Sequence, residues 1–508
     1  MQLKKYWLVI LFCLIKFATP FFQHHDFELH RDEYLYLAKG NHLAWGYIEI
    51  PPVNGLIAFI VNIMGNSFFA VKSFPALFGA LTMLLIGMII TDFRGSYFAQ
   101  LIGCLSYLLT AYLRINILFQ PNALDILLWT FCFYLLINFI KTKNKNLLFE
   151  LGIVFGFGLL NKYTMGFLII ATVIALIASP YRKLFLDKTI YIAALIAAII
   201  FLPNALWQLQ HHLPFLYHMQ LLNDTQLQNQ HASEFIKSQF LMNLAGSMVW
   251  IAGMYSLFTL WGRQYRMIAF IYISVIAMLL MLHGKNYYAL GLYPVLFAFG
   301  SVHLERYINT RKKLWLKPVL IIFILIAGVP FVPVLIPVFE PKEMVNFCSH
   351  LKGTGVLKWE DGDEHPLPQD FADMLGWKEL TEKVNTVYTK LSETEKQHLY
   401  IDCDNYGLAG AITYYGKAYN LPEAHSDNAS FIFWIPELKD ITTVIYVGTD
   451  EPDTIVYAHT ANIIIADSIT NPLAREYRTK IFLLRGVDNF LIEATKNQIS
   501  EERKRFNQ

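Results

Sequence analysis

The feature that most constrains this chain is a succession of long apolar runs, almost free of charge, joined by short polar connections. In hydrocarbon no water is present to satisfy backbone N–H and C=O groups, so such runs fold as membrane-spanning helices. A span takes roughly 17–25 mostly apolar residues. About eleven segments fit that description: 6–22, 69–91, 97–118, 122–140, 147–160, 164–180, 189–207, 238–261, 267–283, 288–304 and 318–338. The run at 147–160 is short and Gly-rich and reads as a tilted or broken helix, or as one hairpin with its successor. Composition agrees: charged residues make up 16% of the chain, against about 25% in soluble domains. A net charge of +2 without any Lys/Arg block argues against a nucleic-acid partner.

The first run, "MQLKKYWLVILFCLIKFATPFF", resembles a signal peptide, but no small-residue cleavage site follows cleanly. It is read as an uncleaved first span, with Lys16 snorkelling toward the outer surface. With the N-terminus in the cytoplasm, 16 Lys and Arg residues, from Lys4 and Lys5 to Lys317, fall on the inner side and 7 on the outer. Positive charge accumulates on the cytoplasmic side, so this orientation is the expected one. It places the polar segment after residue 340 outside. That segment contains strand-like runs, "HLYIDCD", "ASFIFWI", "TTVIYVG", "NIIIADS" and "KIFLLRG", and reads as a small α/β domain. The expected organisation is a membrane domain over 1–339, with a catalytic first outer loop at 23–67, and an extracytoplasmic domain over 340–508. Cys348 and Cys403, both in that outer domain, are the pair able to form a disulfide in an oxidising compartment.

The same map gathers the unusual polar groups on the outer face. The first outer loop carries Arg31, Asp32, Glu33 and Glu49. The second turn, "LRINILFQPNALD", carries Arg114 and Asp125; "LLNKYTMG" carries Lys162; "HGKNYYALGLYP" carries His283, Lys285, Tyr287, Tyr288 and Tyr293. Ionisable groups near bilayer depth are costly and mark function. Asp125 also admits a plainer reading, a helix-start carboxylate complementing the dipole. "DEYLYLAKGNHLAWG" has apolar residues near helical spacing and reads as an amphipathic helix on the membrane surface. His24, His25, His30 and Glu28, or His211, His212 and His218, suggest a zinc site, but neither set has a strong ligand spacing. Interfacial histidines are preferred; no metal is required, and a divalent ion is left open.

An outer-face carboxylate, isolated cations and a membrane-embedded body suit one chemistry: group transfer from a lipid-linked phosphate ester to a hydroxyl. The segments "RDEYLY", "YIEIPPV", "FQPNALD", "LLNKYTMG", "GKNYYALGLYP" and "NYGLAGAITYYGKAYNLPEA" occur in the order found in GT-C membrane glycosyltransferases. The chain resembles the branch that includes protein O-mannosyltransferases and lipid A aminoarabinose transferases. The resemblance implies a GT-C polytopic helical fold and a polyprenyl-phosphate sugar donor. It also implies a lipid, glycan or protein acceptor and inversion at the sugar carbon. Asp32 would be the general base or would orient the acceptor, Glu33 would be structural or secondary, and Asp125 would organise acceptor or base. Lys162 and Lys285 would hold the phosphate, and Tyr36, Tyr287, Tyr288 and Tyr293 would line the donor groove. Ile50 departs from the pattern, standing where many relatives carry lysine; Arg31, Lys39 or Lys72 is the expected substitute. The location implied is the bacterial inner membrane, with active site and outer domain periplasmic. The rival readings are a transporter or lipid flippase, and a receptor. Transporters place charge near the midplane and often show internal repeats, neither of which is evident here.

Overall fold

The computed structural model describes residues 5–225 and 231–507; Lys4, counted above on the inner side, lies outside them. The chain divides into two compact units. The first takes the residues up to Phe22, Phe69–Leu206 and His218–Ile336; the second takes Gln23–Phe68, Trp207–Tyr217 and Pro337–Gln508.

The first unit is helical. Among the described residues, six helices are long and apolar enough to cross a membrane: Phe68–Asp92, Pro121–Thr142, Lys188–Gln210, Arg263–Met281, Asn286–Thr310 and Leu316–Leu335. A seventh candidate, Met165–Ile177 with Pro180–Leu186, bends by 104° at its break. Trp7–Phe22, Tyr97–Leu108 and Asn146–Asn161 are apolar but shorter. Two expected spans are interrupted. The 97–118 run stops at Leu108 and resumes as Tyr112–Ile115. Near the break the Thr110 hydroxyl bonds back to the Ser106 carbonyl at 2.9 Å, a contact that bends helices. The 238–261 run breaks between Ala232–Met242 and Ser247–Ser256, across Asn243 and Gly246, both poor helix formers. Lys16 does not snorkel. It is fully buried, its ammonium donating to the Tyr112 carbonyl at 2.7 Å and lying 5.2 Å from the Tyr107 ring.

Helices Ser247–Ser256 and Tyr293–Thr310 approach backbone to backbone at Gly300. A Cβ there would lie 1.8 Å from the Val249 carbonyl oxygen. Small residues permit such close crossings in membrane bundles, and an added methyl can only push the helices apart. Gly300→Ala is expected to cost about 3 kcal/mol, seen as loss of the monodisperse species after detergent extraction. A normally folded variant would contradict this packing.

The second unit carries a four-stranded sheet: β1 (Leu399–Cys403), β2 (Thr443–Gly448), β3 (Thr460–Ser468) and β4 (Lys480–Val487), in the order β1-β2-β4-β3. β1 and β2 are parallel; β4 runs antiparallel to both of its neighbours. Phe482 and Leu484 of β4 pack with Ile48, Leu491, Ile492 and Ile499 in one core. Four of the five expected strands form. The fifth, "ASFIFWI", is a 3-10 turn over Ala429–Phe433 instead. Glu49 holds that turn, its carboxylate accepting from both the N–H and the hydroxyl of Ser430 at 2.7 Å.

Three further expectations need correction. Segment 23–67 packs with the residues after 337, so the outer loop is part of the second unit and not an appendage of the membrane domain. Within it, the Arg31–Ala38 helix does not lie on a membrane surface; Glu33, Tyr34, Leu35, Leu37 and Ala38 are all buried. A short sequence with apolar residues on several sides suits a helix enclosed by protein better than one facing lipid on one side. Cys348 and Cys403 are buried free thiols, so no disulfide joins them.

Candidate active site

The site residues fall into two constellations, one in each unit. In the second unit, His30 caps the Arg31–Ala38 helix. Its Nδ1 accepts the N–H of Asp32 at 3.1 Å, while the Glu33 carboxylate accepts the N–H of His30 at 2.7 Å. This reciprocal capping satisfies two otherwise orphaned helix donors, and Glu33 is fully buried. An accepting Nδ1 puts the ring proton on Nε2, which lies 3.7 Å from both Asp370 and Asp373. The Asp32 carboxylate, two residues along, accepts from the Tyr406 hydroxyl at 2.8 Å. Arg31 stacks its guanidinium over the Tyr406 ring at 4.8 Å, and its Nε lies 3.9 Å from Glu476.

Glu49 and Lys39 form a 2.8 Å ion pair, Lys39 being fully buried. Burial lowers the Lys39 pKa from its ordinary value, and Glu49 opposes that shift. Lys39 also lies 5.0 Å from the Tyr36 ring and 5.3 Å from that of Tyr47. Its charge is therefore committed within the protein, which removes Lys39 as a substitute for the missing phosphate lysine. Ile50 is itself buried.

In the first unit, Asp125 sits one turn into the Pro121–Thr142 helix and is buried. Its two oxygens accept from Trp129 Nε1 at 3.1 Å and from the Thr164 hydroxyl at 2.8 Å. Helical spacing explains the first contact, since residues four apart share a face. Lys162 follows the Asn146–Asn161 helix and donates to Asn122 Oδ1 at 2.6 Å. Asn161 beside it donates to the Pro121 carbonyl at 3.0 Å, tying the two helix ends together. The Lys162 ammonium lies 5.0 and 4.5 Å from the rings of Tyr287 and Tyr288, which meet edge to face at the 3-10 turn Asn286–Leu292. Lys285 immediately precedes that turn. Lys162 interacts electrostatically with both Asp125 and Lys285. A half-buried ammonium thus stands among aromatic rings, with Lys285 at the start of the same turn and Asp125 on the helix that Lys162 bonds through Asn122. Such a place suits an anion with an apolar tail.

The remaining residues are peripheral to these two groups. Tyr293 is fully buried, with its hydroxyl committed to Tyr272 at 3.2 Å and Gln239 at 3.1 Å, so it belongs to the helical core and not to a groove wall. Arg114 is buried in the short Tyr112–Ile115 helix. His283 is exposed and adopts a left-handed backbone, φ 50°. The suggested His24, His25, His30 and Glu28 set does not assemble. His24 and His25 approach Asp26 instead, at an exposed position, and the Glu28 carboxylate accepts the N–H of Lys378 at 2.8 Å. His211 stacks on Trp207 at 4.2 Å. Tyr406, Trp129 and Thr164 are contacts that sequence reasoning did not assign. Thr164 stood inside a noted motif, and Trp129 stood four residues after Asp125. Tyr406 also stood inside a noted motif, "NYGLAGAITYYGKAYNLPEA", but nothing local tied it to Asp32, 374 positions away.

Residues 50–207 match the family model described as dolichyl-phosphate-mannose-protein mannosyltransferase. No curated protein matches the chain. Among solved structures, the chain is similar to ArnT from Cupriavidus metallidurans bound to undecaprenyl phosphate, with 12% identity and a TM-score of 0.62 over 94% of this chain and 98% of that one. The apo form of the same protein matches with 13% identity and a TM-score of 0.58, covering 94% and 97%. At this identity the likeness is one of fold, and it extends over nearly the whole of both chains. The chain is an integral membrane protein with the fold of ArnT.

Proposed function

We propose that this protein is a membrane glycosyltransferase that moves a sugar from a polyprenyl-phosphate carrier to a hydroxyl-bearing lipid, glycan or protein acceptor. The observation that carries the reading is the Lys162 ammonium 5.0 and 4.5 Å from the rings of the edge-to-face pair Tyr287 and Tyr288, with Lys285 at the start of the same turn. A phosphate on an isoprenoid tail supplies both an anion for these lysines and an apolar body for the aromatic rings. The family-model match and the ArnT likeness support the same donor class.

In the proposed reaction the acceptor hydroxyl attacks the anomeric carbon. The new C–O bond forms as the bond from that carbon to the phosphate oxygen breaks, so the anomeric configuration inverts. Asp32 takes the hydroxyl proton, and polyprenyl phosphate leaves as an anion. A phosphate leaving group needs no strong acid, only cations to meet its charge; Lys162 and Lys285 take that part. Asp125 fixes Thr164 and offsets part of the lysine charge. The proposed setting is the bacterial inner membrane, with the reaction on its periplasmic face, where nucleotide sugars are scarce.

The test is reconstitution of purified protein with a polyprenyl-phosphate sugar, following release of polyprenyl phosphate and mass spectrometry of cell-envelope lipids, glycans and proteins with and without the gene. Failure to consume any such carrier, together with movement of an unmodified solute or lipid across vesicles, would favour the transporter reading. Because lysines carry the phosphate in this scheme, EDTA-treated protein is expected to keep its transfer rate within about twofold. Loss of activity restored by a divalent ion would overturn the metal-free form of the reaction.

A further inference from the structure

We infer that Tyr406, in the segment after residue 337, is a positioning residue for Asp32, so that the polar domain completes the catalytic loop. This rests on Asp32 acting as the base. The hydroxyl contact of 2.8 Å is not an accident of two mobile side chains, because both backbones are fixed. Tyr406 is the first residue of the Tyr406–Gly416 helix, which begins three residues after β1 ends. Asn405 caps that helix, its Oδ1 accepting from the N–H groups of Gly407 at 2.9 Å and Leu408 at 3.2 Å.

The two helices then pack on a pair of glycines. A Cβ on Gly407 would lie 2.7 Å from Arg31 Cγ, and one on Gly410 would lie 2.8 Å from Tyr34 Cβ and 3.0 Å from the Tyr34 carbonyl carbon. Glycine at both places lets the Arg31–Ala38 helix seat directly on the second helix. Tyr34 locks the rotation, with its ring 5.5 Å from Trp377, 5.7 Å from Tyr414 and 5.9 Å from Tyr415. In this register Arg31 covers the Tyr406 ring and the hydroxyl meets Asp32.

Burial, reinforced by the charge of Asp32, drives the Tyr406 pKa well above that of a free phenol, so the hydroxyl keeps its proton and acts as donor. A carboxylate that must receive a proton from an acceptor hydroxyl works only within narrow limits of distance and angle. The phenol is one group that holds this one. The "NYGLAG" run is thereby explained: cap, donor, and two glycines for the close crossing.

The test is Tyr406→Phe, which keeps the ring under Arg31 and removes only the hydroxyl. A hydrogen bond to a charged group commonly carries roughly ten- to hundredfold in an equilibrium or rate. The expected result is a fall of that size in kcat, with KM for donor and acceptor within about twofold of wild type and the melting temperature unchanged. A melting temperature that falls while kcat per folded enzyme holds would show a merely structural contact and overturn the inference. So would wild-type kcat. Asp32→Asn, measured beside it, separates the two readings. If Asp32→Asn is inactive and Tyr406→Phe is fully active, only the positioning role fails; if Asp32→Asn is fully active, the base assignment itself fails.

Discussion

Asp32→Asn is expected to lower sugar transfer by roughly 10²- to 10⁴-fold, the range carried by a positioned general base. The change is nearly isosteric. The asparagine carbonyl can still accept from Tyr406, and the helix cap depends on the backbone N–H of residue 32 and the side chains of His30 and Glu33, not on the Asp32 carboxylate. Expression and thermal stability should therefore stay close to wild type. What is lost is the ability to take the acceptor proton as the new bond forms. The measurement is the rate of polyprenyl phosphate release in proteoliposomes, with donor binding followed separately. A variant that binds donor and transfers at the wild-type rate would remove Asp32 from the chemistry.

Lys162→Met is expected to reduce kcat/KM for the carrier by roughly a hundredfold or more, since a charge-assisted contact to phosphate is lost from a site with few alternatives. Methionine keeps an unbranched apolar stem of similar reach, so packing against Tyr287 and Tyr288 is preserved. Two effects add. The phosphate loses one of its two proposed lysines, and Asp125 loses the cation that offsets its charge. Competition by free polyprenyl phosphate should weaken in parallel, which distinguishes a phosphate contact from a general loss of fold. Unchanged donor dependence in a stable variant would show that Lys162 is an anchor for Asn122 only.

Much of this was legible in the chain because the signals are local. Asp125 with Trp129, and Lys162 beside Asn161, follow from helix spacing and from motifs a few residues long. The aromatic pair Tyr287–Tyr288 is consecutive. The Asp32–Glu33 pair was visible too, but not the division of labour between its members. Both are acidic residues in the first turn of one helix. Only the observation that Glu33 closes the cap on His30 while Asp32 meets Tyr406 separates a structural carboxylate from a candidate base. Tyr293 shows the opposite error: a tyrosine in the right motif is consumed by Gln239 and Tyr272 in the helical core.

By itself the sequence determined what depends on the solvent around each segment: that much of the chain is apolar enough to lie in a membrane, that a polar segment with strands follows, and which short motifs carry charge. Hydrophobicity and helix or strand period are properties of neighbouring residues, and they need no partner to be read. Tertiary structure alone decided that loop 23–67 folds with the residues after 337, that "ASFIFWI" turns instead of pairing, that Lys39 is spent on Glu49, and that Asp32 has Tyr406 as its donor. Each of these is a contact between residues far apart in the chain. Its energy depends on distance and burial that no local pattern encodes.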